Sequence, residues 1–256
     1  MTQRLQGKTA LITGSTSNIG RSIALAYGRE GAHVVVSGRD EARGAEVVEQ
    51  IRANGGKADF VRADLDGSPA ASRALATEAS ELLGGRVDVL VNNAGIYPPS
   101  TTPTTDEETF DRVFGVNVKA PFFLTQALAP AMIDAGGGVV LNLGSWITRL
   151  GVPSGSIYST SKGAMETLTR AWASEFGPQG IRVNAISPGV IASADWDETI
   201  RAQADVMMRG TPAGRSGHPD AIAAAAVYLA SDDAEFVHGV VLDVDGGRTG
   251  VAVVAV

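Results

Sequence analysis

A single α/β domain built on a doubly wound, mostly parallel sheet of seven strands, with helices on both faces, is the fold this sequence predicts. Three observations predict it. Short, nearly continuous apolar runs alternate with segments of helical periodicity, the pattern of strands buried on both faces and joined by crossover helices. The order strand-helix-strand-helix-strand occurs twice. The chain has 256 residues, enough for one large core, and no proline/serine-rich linker, charge block or repeat divides it.

The strands are read at 8–13, 32–37, 57–63, 87–91, 138–144, 181–187 and 240–244. The first runs into Gly14-Ser15-Thr16-Ser17-Asn18-Ile19-Gly20, and a helical pattern follows from Arg21 to Glu30, closed by Gly31. A strand, a glycine turn and a helix N-terminus make an anion site, because backbone N–H groups and the helix dipole both favour a phosphate. The second strand, Ala32 to Ser37, arrives on schedule for a βαβ dinucleotide-binding half. Asn92-Asn93-Ala94-Gly95 follows the apolar strand Val87–Val91; its amides could fix the floor of a crevice or simply form a turn. The segment 106–135 reads as long and helical, with Asn117 inside it. A mid-helix asparagine disfavours regular hydrogen bonding, so it either bends the helix around a water or is exposed. Pro188-Gly189 ends the sixth strand. Gly14, Asn92, Ser145 and Pro188 all fall at predicted strand ends, where such sheets bind ligands.

Composition narrows the function. Hydrophobic residues make up 44% and charged residues 19%, the values of a globular protein. A net charge of −7 argues against nucleic acid and anionic membranes as partners. With no cysteine there is no disulfide framework or thiolate metal site, and His33, His218 and His238 are too scattered to hold a metal. No apolar run approaches a membrane span and Met1–Gln6 is no signal sequence, so a cytoplasmic enzyme is expected.

The chemistry is carried by Tyr158-Ser159-Thr160-Ser161-Lys162, with Ser145 thirteen residues upstream. If 156–177 is helical, Tyr158 and Lys162 lie one turn apart on one face. A free phenol titrates near 10, and bringing it to about 7 takes roughly 4 kcal/mol. One cation about 4 Å away at an effective dielectric near 20 supplies about that much. Lys162 could therefore turn Tyr158 into a working acid and base. Taken alone, Tyr-x-x-x-Lys is also an ordinary helix face.

Together these residues resemble the short-chain dehydrogenase/reductase family in its short single-domain form, a Rossmann fold. The resemblance runs from Lys8 to Gly247 through Thr13-Gly14-x-x-x-Asn18-x-Gly20, Asp64, Asn92-Asn93-Ala94-Gly95, Asn117, Leu141-Asn142-Leu143-Gly144-Ser145, Tyr158-x-x-x-Lys162, Ser187-Pro188-Gly189 and Val244-Asp245-Gly246-Gly247. It implies hydride transfer between a nicotinamide cofactor and a carbonyl or secondary alcohol. Tyr158 would be the proton donor and acceptor, and Ser145 the hydrogen-bond partner of the substrate oxygen. Lys162 would lower the tyrosine and hold the nicotinamide ribose, and Asn117 would anchor a proton-relay water. It also implies cofactor contacts from Gly14, Ser15, Ser17, Asn18, Ile19, Gly20, Ser37, Arg39, Asp64, Leu65, Asn92, Ala94, Tyr158, Lys162, Pro188, Gly189, Ile191 and Ser193, with Asp64 on the adenine amino group and no metal. The sequence departs from the family at Asn18, usually glycine, and at Ser193, usually threonine. Asparagine tolerates left-handed angles better than other non-glycine residues, so the turn is expected to survive, with its side chain near the pyrophosphate.

Aligned with the family, Gly38 takes the place of the acid that reads the ribose hydroxyls, and Arg39 follows. A guanidinium clasps a phosphate with paired donors. NADP(H) is therefore the expected cofactor and NAD(H) the alternative; Ser17 and Asp40 count against it. Exchanging Gly38 for aspartate is expected to shift preference toward the unphosphorylated cofactor.

The substrate pocket is expected from Ile96 to Pro103, Trp146 to Ser154 and a lid at about 192–217, the last carrying Trp196, Met207 and Met208 on a short amphipathic helix. Tyr97, Trp146 and Trp196 either make it aromatic or pack in the core, and Arg149 either meets an acidic substrate or is a surface residue. Apolar surface on 106–135 and 156–177, with the tail Val251–Val256, points to self-association, and the family is commonly a homotetramer or dimer. Two rivals remain: a 3-oxoacyl thioester reductase within the same chemistry, and a dinucleotide sensor without turnover. A serine hydrolase on Ser145 fails for want of a Gly-x-Ser-x-Gly elbow.

Overall fold

The computed structural model describes residues 3–153 and 155–252. Seven strands form one sheet: β1 (Thr9–Ile12), β2 (His33–Gly38), β3 (Lys57–Arg62), β4 (Val89–Asn92), β5 (Gly138–Leu143), β6 (Ile181–Pro188) and β7 (Val241–Val244). All pair in parallel, in the order β3-β2-β1-β4-β5-β6-β7. Each predicted strand is present, with ends displaced by no more than two residues. The helices are α1 (Asn18–Arg29), α2 (Glu41–Ala53), α3 (Pro69–Leu82), α4 (Glu107–Phe114), α5 (Ala120–Asp134), α6 (Ser156–Phe176), α7 (Glu198–Met208) and α8 (Pro219–Ala230).

The apolar strands are sorted by the two-residue period of the backbone. Ala10, Ile12, Val34 and Val36 face one layer, with Ile23 and Tyr27 of α1 and Ile222 and Ala226 of α8. Leu11, Val35, Leu90 and Val140 face the other, with Leu75 of α3, Leu124 and Leu128 of α5, and Met165 and Trp172 of α6. Residues that read as continuous apolar runs are thus split between two cores. The order in which strands are added across the sheet reverses between β1 and β4, and the crevice outside their carboxyl ends is where such folds hold ligands.

The segment expected as one long helix is two, α4 and α5, separated by a π-helical turn at Gly115–Lys119. Asn117 sits in that turn and is buried, not exposed. Its Oδ1 accepts from the Ile96 N–H at 2.8 Å, while Nδ2 donates to the Ile96 carbonyl at 3.0 Å and the Ser161 hydroxyl at 3.0 Å. The side chain meets its hydrogen-bonding needs across the crevice, and the wider turn points it there. Among the described residues no helix is long and apolar enough to cross a membrane.

Candidate active site

The crevice encloses about 880 Å³ and is lined by the β1–α1 turn, the ends of β2 and β3, the segment after β4, the first turns of α4 and Tyr158. Asn18 takes a left-handed φ of 42°, alone among the described non-glycine residues, so the turn survives the departure from glycine. Ser17 caps α1 without a side-chain hydrogen bond, which leaves the first-turn N–H groups to the crevice. Gly20 is required by space: a Cβ there would stand 2.3 Å from the Gly14 carbonyl oxygen and 2.5 Å from Asn93 Nδ2. Gly14 likewise lies where a Cβ would be 2.9 Å from Ala94 Cα. This cradle of closely approaching backbone and open helix N–H groups fits a dinucleotide pyrophosphate. Gly20→Ala is expected to destabilise the fold by about 1–3 kcal/mol and to weaken dinucleotide binding at least about tenfold. Thermal melting with a fluorescence titration checks both; an unchanged affinity would remove the cradle.

Of the residues expected to hold cofactor, Gly14, Ser17, Asn18, Ile19, Gly20, Ser37, Arg39, Asp64, Leu65, Ala94 and Tyr158 line the crevice. Ser15 does not; its hydroxyl is buried, donating to the Ile12 carbonyl at 2.7 Å and accepting from the Ser37 N–H at 2.9 Å. Asn92 differs from expectation as well. Its amide turns into the interior, donating to Asn142 at 2.9 Å and to Thr125 at 3.3 Å. Asn93 lines the crevice and ties β4 to the turn, donating to the Thr13 and Gly14 carbonyls at 2.8 and 3.0 Å. One step along a strand exchanges faces, so the side chains of an Asn-Asn pair part to opposite sides. Pro188, Gly189, Ile191 and Ser193 lie outside this crevice lining. Gly189 answers a different need, since its Cβ would be 2.5 Å from Asp245 Cα, and Asp245 itself caps the following turn through the Gly247 and Thr249 N–H groups. Thr16, Gly95 and Arg112 line the crevice without having been singled out as site residues; their position in turns after strands was the only signal.

Tyr158, Ser145, Lys162 and Asn117 come together at the inner end. Tyr158 opens α6, and the Ser145 side chain stands near enough to draw its phenol's pKa down. Ser145 follows β5, and the loop after it is tied to α6 by the Ser159 hydroxyl donating to the Ile147 carbonyl at 2.9 Å. Lys162 is buried, donates to the Leu143 carbonyl at 2.8 Å, and places Nζ 5.8 Å from the Tyr158 ring centroid. Gly95 leaves room above both partners: a Cβ there would be 3.4 Å from Asn117 Oδ1 and 3.5 Å from Lys162 Nζ. Lysine was expected to bring the phenol toward neutrality; the electrostatics run otherwise. Burial pushes Tyr158 up to about 12, with the neighbouring Ser145 side chain drawing it down and Tyr97 pushing it up. Burial also pushes Lys162 down to about 8. Desolvation is the first cause of both shifts, because a phenolate and an ammonium are each costly to strip of water in a closed corner.

Beside the phenol lies an apolar wall. Trp146, Ile147, Val190, Ala204 and Met208 form one buried cluster, against which Val152, Tyr158 and Trp196 pack. Tyr97 meets the Tyr158 ring with centroids 4.5 Å apart. The stretch 192–217 does carry a short helix, α7, but its two methionines divide: Met208 faces the cluster and Met207 faces solvent. Arg149 pairs with Asp243, and Arg248 stacks 4.1 Å over the Trp146 ring. Ser154 lies outside the described residues.

A fold that reads dinucleotides at its sheet reversal, with a phenol, a hydroxyl and an ammonium converging on one corner, defines a nicotinamide-dependent oxidoreductase. A family model described as enoyl-(acyl carrier protein) reductase matches residues 14–249. A cyclopentanol dehydrogenase of Comamonas sp. (strain NCIMB 9872) is 37% identical over 248 residues, which are 96% of this chain and 98% of that one. The 3-oxoacyl-[acyl-carrier-protein] reductase FabG of Thermotoga maritima is 33% identical, over 95% of this chain and 98% of that protein. A 7α-hydroxysteroid dehydrogenase solved with NADH and 7-oxo glycochenodeoxycholic acid superposes with a TM-score of 0.89 at 38% identity, covering 96% of each chain. A candidate NAD(P)-dependent gluconate 5-dehydrogenase from Beutenbergia cavernae, with NADP at low occupancy, gives a TM-score of 0.90 at 38% identity, covering 98% of this chain and 100% of that one. The chain belongs to the short-chain dehydrogenase/reductase family, and its reaction is nicotinamide-dependent hydride transfer at an alcohol or carbonyl carbon.

Proposed function

We propose that this protein is an NADP(H)-preferring reductase or dehydrogenase of an apolar, ring-bearing ketone or secondary alcohol. One observation carries the reading: the phenol of Tyr158 faces both the dinucleotide crevice and the Trp146–Met208 cluster. When bound, the nicotinamide ring supplies or accepts the hydride. Tyr158 then gives its proton to the substrate oxygen in reduction and takes it back in oxidation. Ser145 bonds the same oxygen and stabilises its growing charge. Lys162 and Asn117 position the corner from below, and Lys162, protonated below about pH 8, provides the nearby positive charge.

The cofactor preference is supported by the free state of Arg39. Asp40, counted against it, is engaged elsewhere: it caps α2 through the Arg43 N–H at 3.0 Å and pairs with Arg43 Nε at 2.7 Å. Arg39 has no ion pair among the described residues. Arg39→Gln is expected to weaken NADPH at least about tenfold with little effect on NADH, the loss of one charge-assisted phosphate contact. Equal losses for the two cofactors in a binding titration would end the argument.

The lid role of α7 rests on Ala204 and Met208 packing against Trp146 and Ile147. Self-association is proposed through the face of the π-helical turn, α5 and α6 bearing Val118, Phe122, Phe123 and Leu168, where Phe122 is partly exposed. Val251 is exposed, and the tail beyond 252 lies outside the described residues. The deciding experiment follows nicotinamide absorbance with both reduced cofactors against cyclic ketones, sugars and acyl thioesters, and with both oxidised cofactors against the matching alcohols. Turnover confined to acyl thioesters would replace the cyclic-ketone reading with the oxoacyl reductase reading, which the resemblance to FabG favours. Binding without turnover on any panel member would favour a sensor.

A further inference from the structure

Gly38 ends β2 at the position that reads the adenosine ribose, and its backbone does not require glycine, since its φ is not in the left-handed region. What it lacks room for is a side chain. A Cβ at Gly38 would stand 2.7 Å from Thr16 Cγ2 and 3.0 Å from Thr16 Oγ1. The threonine cannot drift aside with its loop. The residues just before each of the two are stitched together, with the Ser15 N–H donating to the Ser37 carbonyl at 2.9 Å and the Ser37 N–H donating to the Ser15 hydroxyl at 2.9 Å. Thr16 is also β-branched and stiff at χ1. By contrast, Thr16 Cβ lies 3.4 Å from the same built atom, an ordinary contact, so alanine at 16 would leave space.

We propose that Thr16 is a specificity-determining residue for the dinucleotide: its side chain occupies the volume an acidic residue at 38 needs, so positions 16 and 38 choose the cofactor as one unit. An acid at this strand end accepts the ribose hydroxyls and repels a 2′-phosphate. Thr16 keeps that acid out and leaves the ribose edge to Arg39. Substituting Gly38 alone therefore destroys the present preference without creating the opposite one. The cofactor consequence rests on the NADP(H) reading above; the steric coupling does not.

The test is a double-mutant cycle with two readouts, melting of the cofactor-free protein and calorimetric titration with NADPH and NADH. Gly38→Asp alone is expected to lower Tm by about 5 °C, the effect of overpacking a fixed site, whereas in a Thr16→Ala background it lowers Tm by less than about 2 °C. The single variant loses NADPH affinity and gains none for NADH; Thr16→Ala/Gly38→Asp gains at least about tenfold for NADH. Thr16→Val/Gly38→Asp keeps the bulk and behaves like the single variant. Additive melting effects, or a single Gly38→Asp that takes NADH as well as the alanine double variant, overturns the proposal. If neither Gly38→Asp nor its alanine double folds, the obstruction is not Thr16 and the proposal is equally overturned. A wild-type protein that favours NADH would defeat the cofactor reading while leaving the melting cycle intact, so the two failures are distinguishable.

Discussion

Tyr158→Phe is expected to lower turnover by about 10²–10⁴-fold, the range of a positioned acid–base group, while the dinucleotide still binds. The ring stays, so its contacts with Tyr97 and the Trp146 cluster stay too, and only the hydroxyl is lost. A phenol held up near 12 keeps its proton through the neutral range. The wild-type reduction should accordingly be flat with pH up to neutrality and fall as Lys162 loses its charge through about 8. Oxidation, which needs the phenol's proton removed, should speed up as pH rises toward 8. In the phenylalanine variant that rise should vanish. Steady-state rates in both directions across pH, together with a titration of cofactor fluorescence, make the comparison. Retained turnover would take Tyr158 out of the chemistry.

Lys162→Met should separate stability from activity. The ammonium titrates near 8 in the fold against 10.5 ordinarily, so folding disfavours its charge. Below pH 8 both folded and unfolded chains hold the proton, and the full desolvation penalty, about 3 kcal/mol, falls on the fold. Between about 8 and 10.5 the folded chain has released its proton while the unfolded chain has not, so the penalty fades as pH rises. Methionine removes the charge and nearly keeps the volume, but leaves the Leu143 carbonyl without its donor, which takes back about 1–3 kcal/mol. The variant should thus be as stable as the wild type or up to about 2 kcal/mol more stable at pH 7, and should lose that advantage by pH 10. Its turnover should fall about 10²-fold or more, because the corner's positive charge is gone. Denaturant unfolding at the two pH values, read beside kcat, tests this. A variant destabilised more at pH 7 than at pH 10 contradicts the desolvation account.

Why these side chains are poised for chemistry is visible in how they are placed. Tyr158 and Lys162 ride one face of a long helix, but Ser145 reaches them only because the loop after β5 is pinned to α6 at Ile147 and Ser159. Asn117 reaches the same corner through a π-helical turn that no periodicity announces. Each support uses contacts between segments far apart in sequence, so local pattern reveals the chemical groups and not their environment.

The amino-acid sequence by itself determined the seven strands, the alternation with helices, the anion-binding turn and the family, because apolar period, glycine position and motif spacing are local properties written residue by residue. Only the tertiary structure decided which asparagine of the Asn92–Asn93 pair faces the crevice, that Asp40 is taken by Arg43, that Arg149 belongs to Asp243, and that Thr16 stands against Gly38. It also showed that Tyr158 and Lys162 are both buried, which pushes the phenol's pKa up and the ammonium's down. The physical reason is the same throughout. Burial, desolvation and van der Waals exclusion depend on what lies across the fold, and that neighbour is set by packing of distant elements rather than by the residues on either side in the chain.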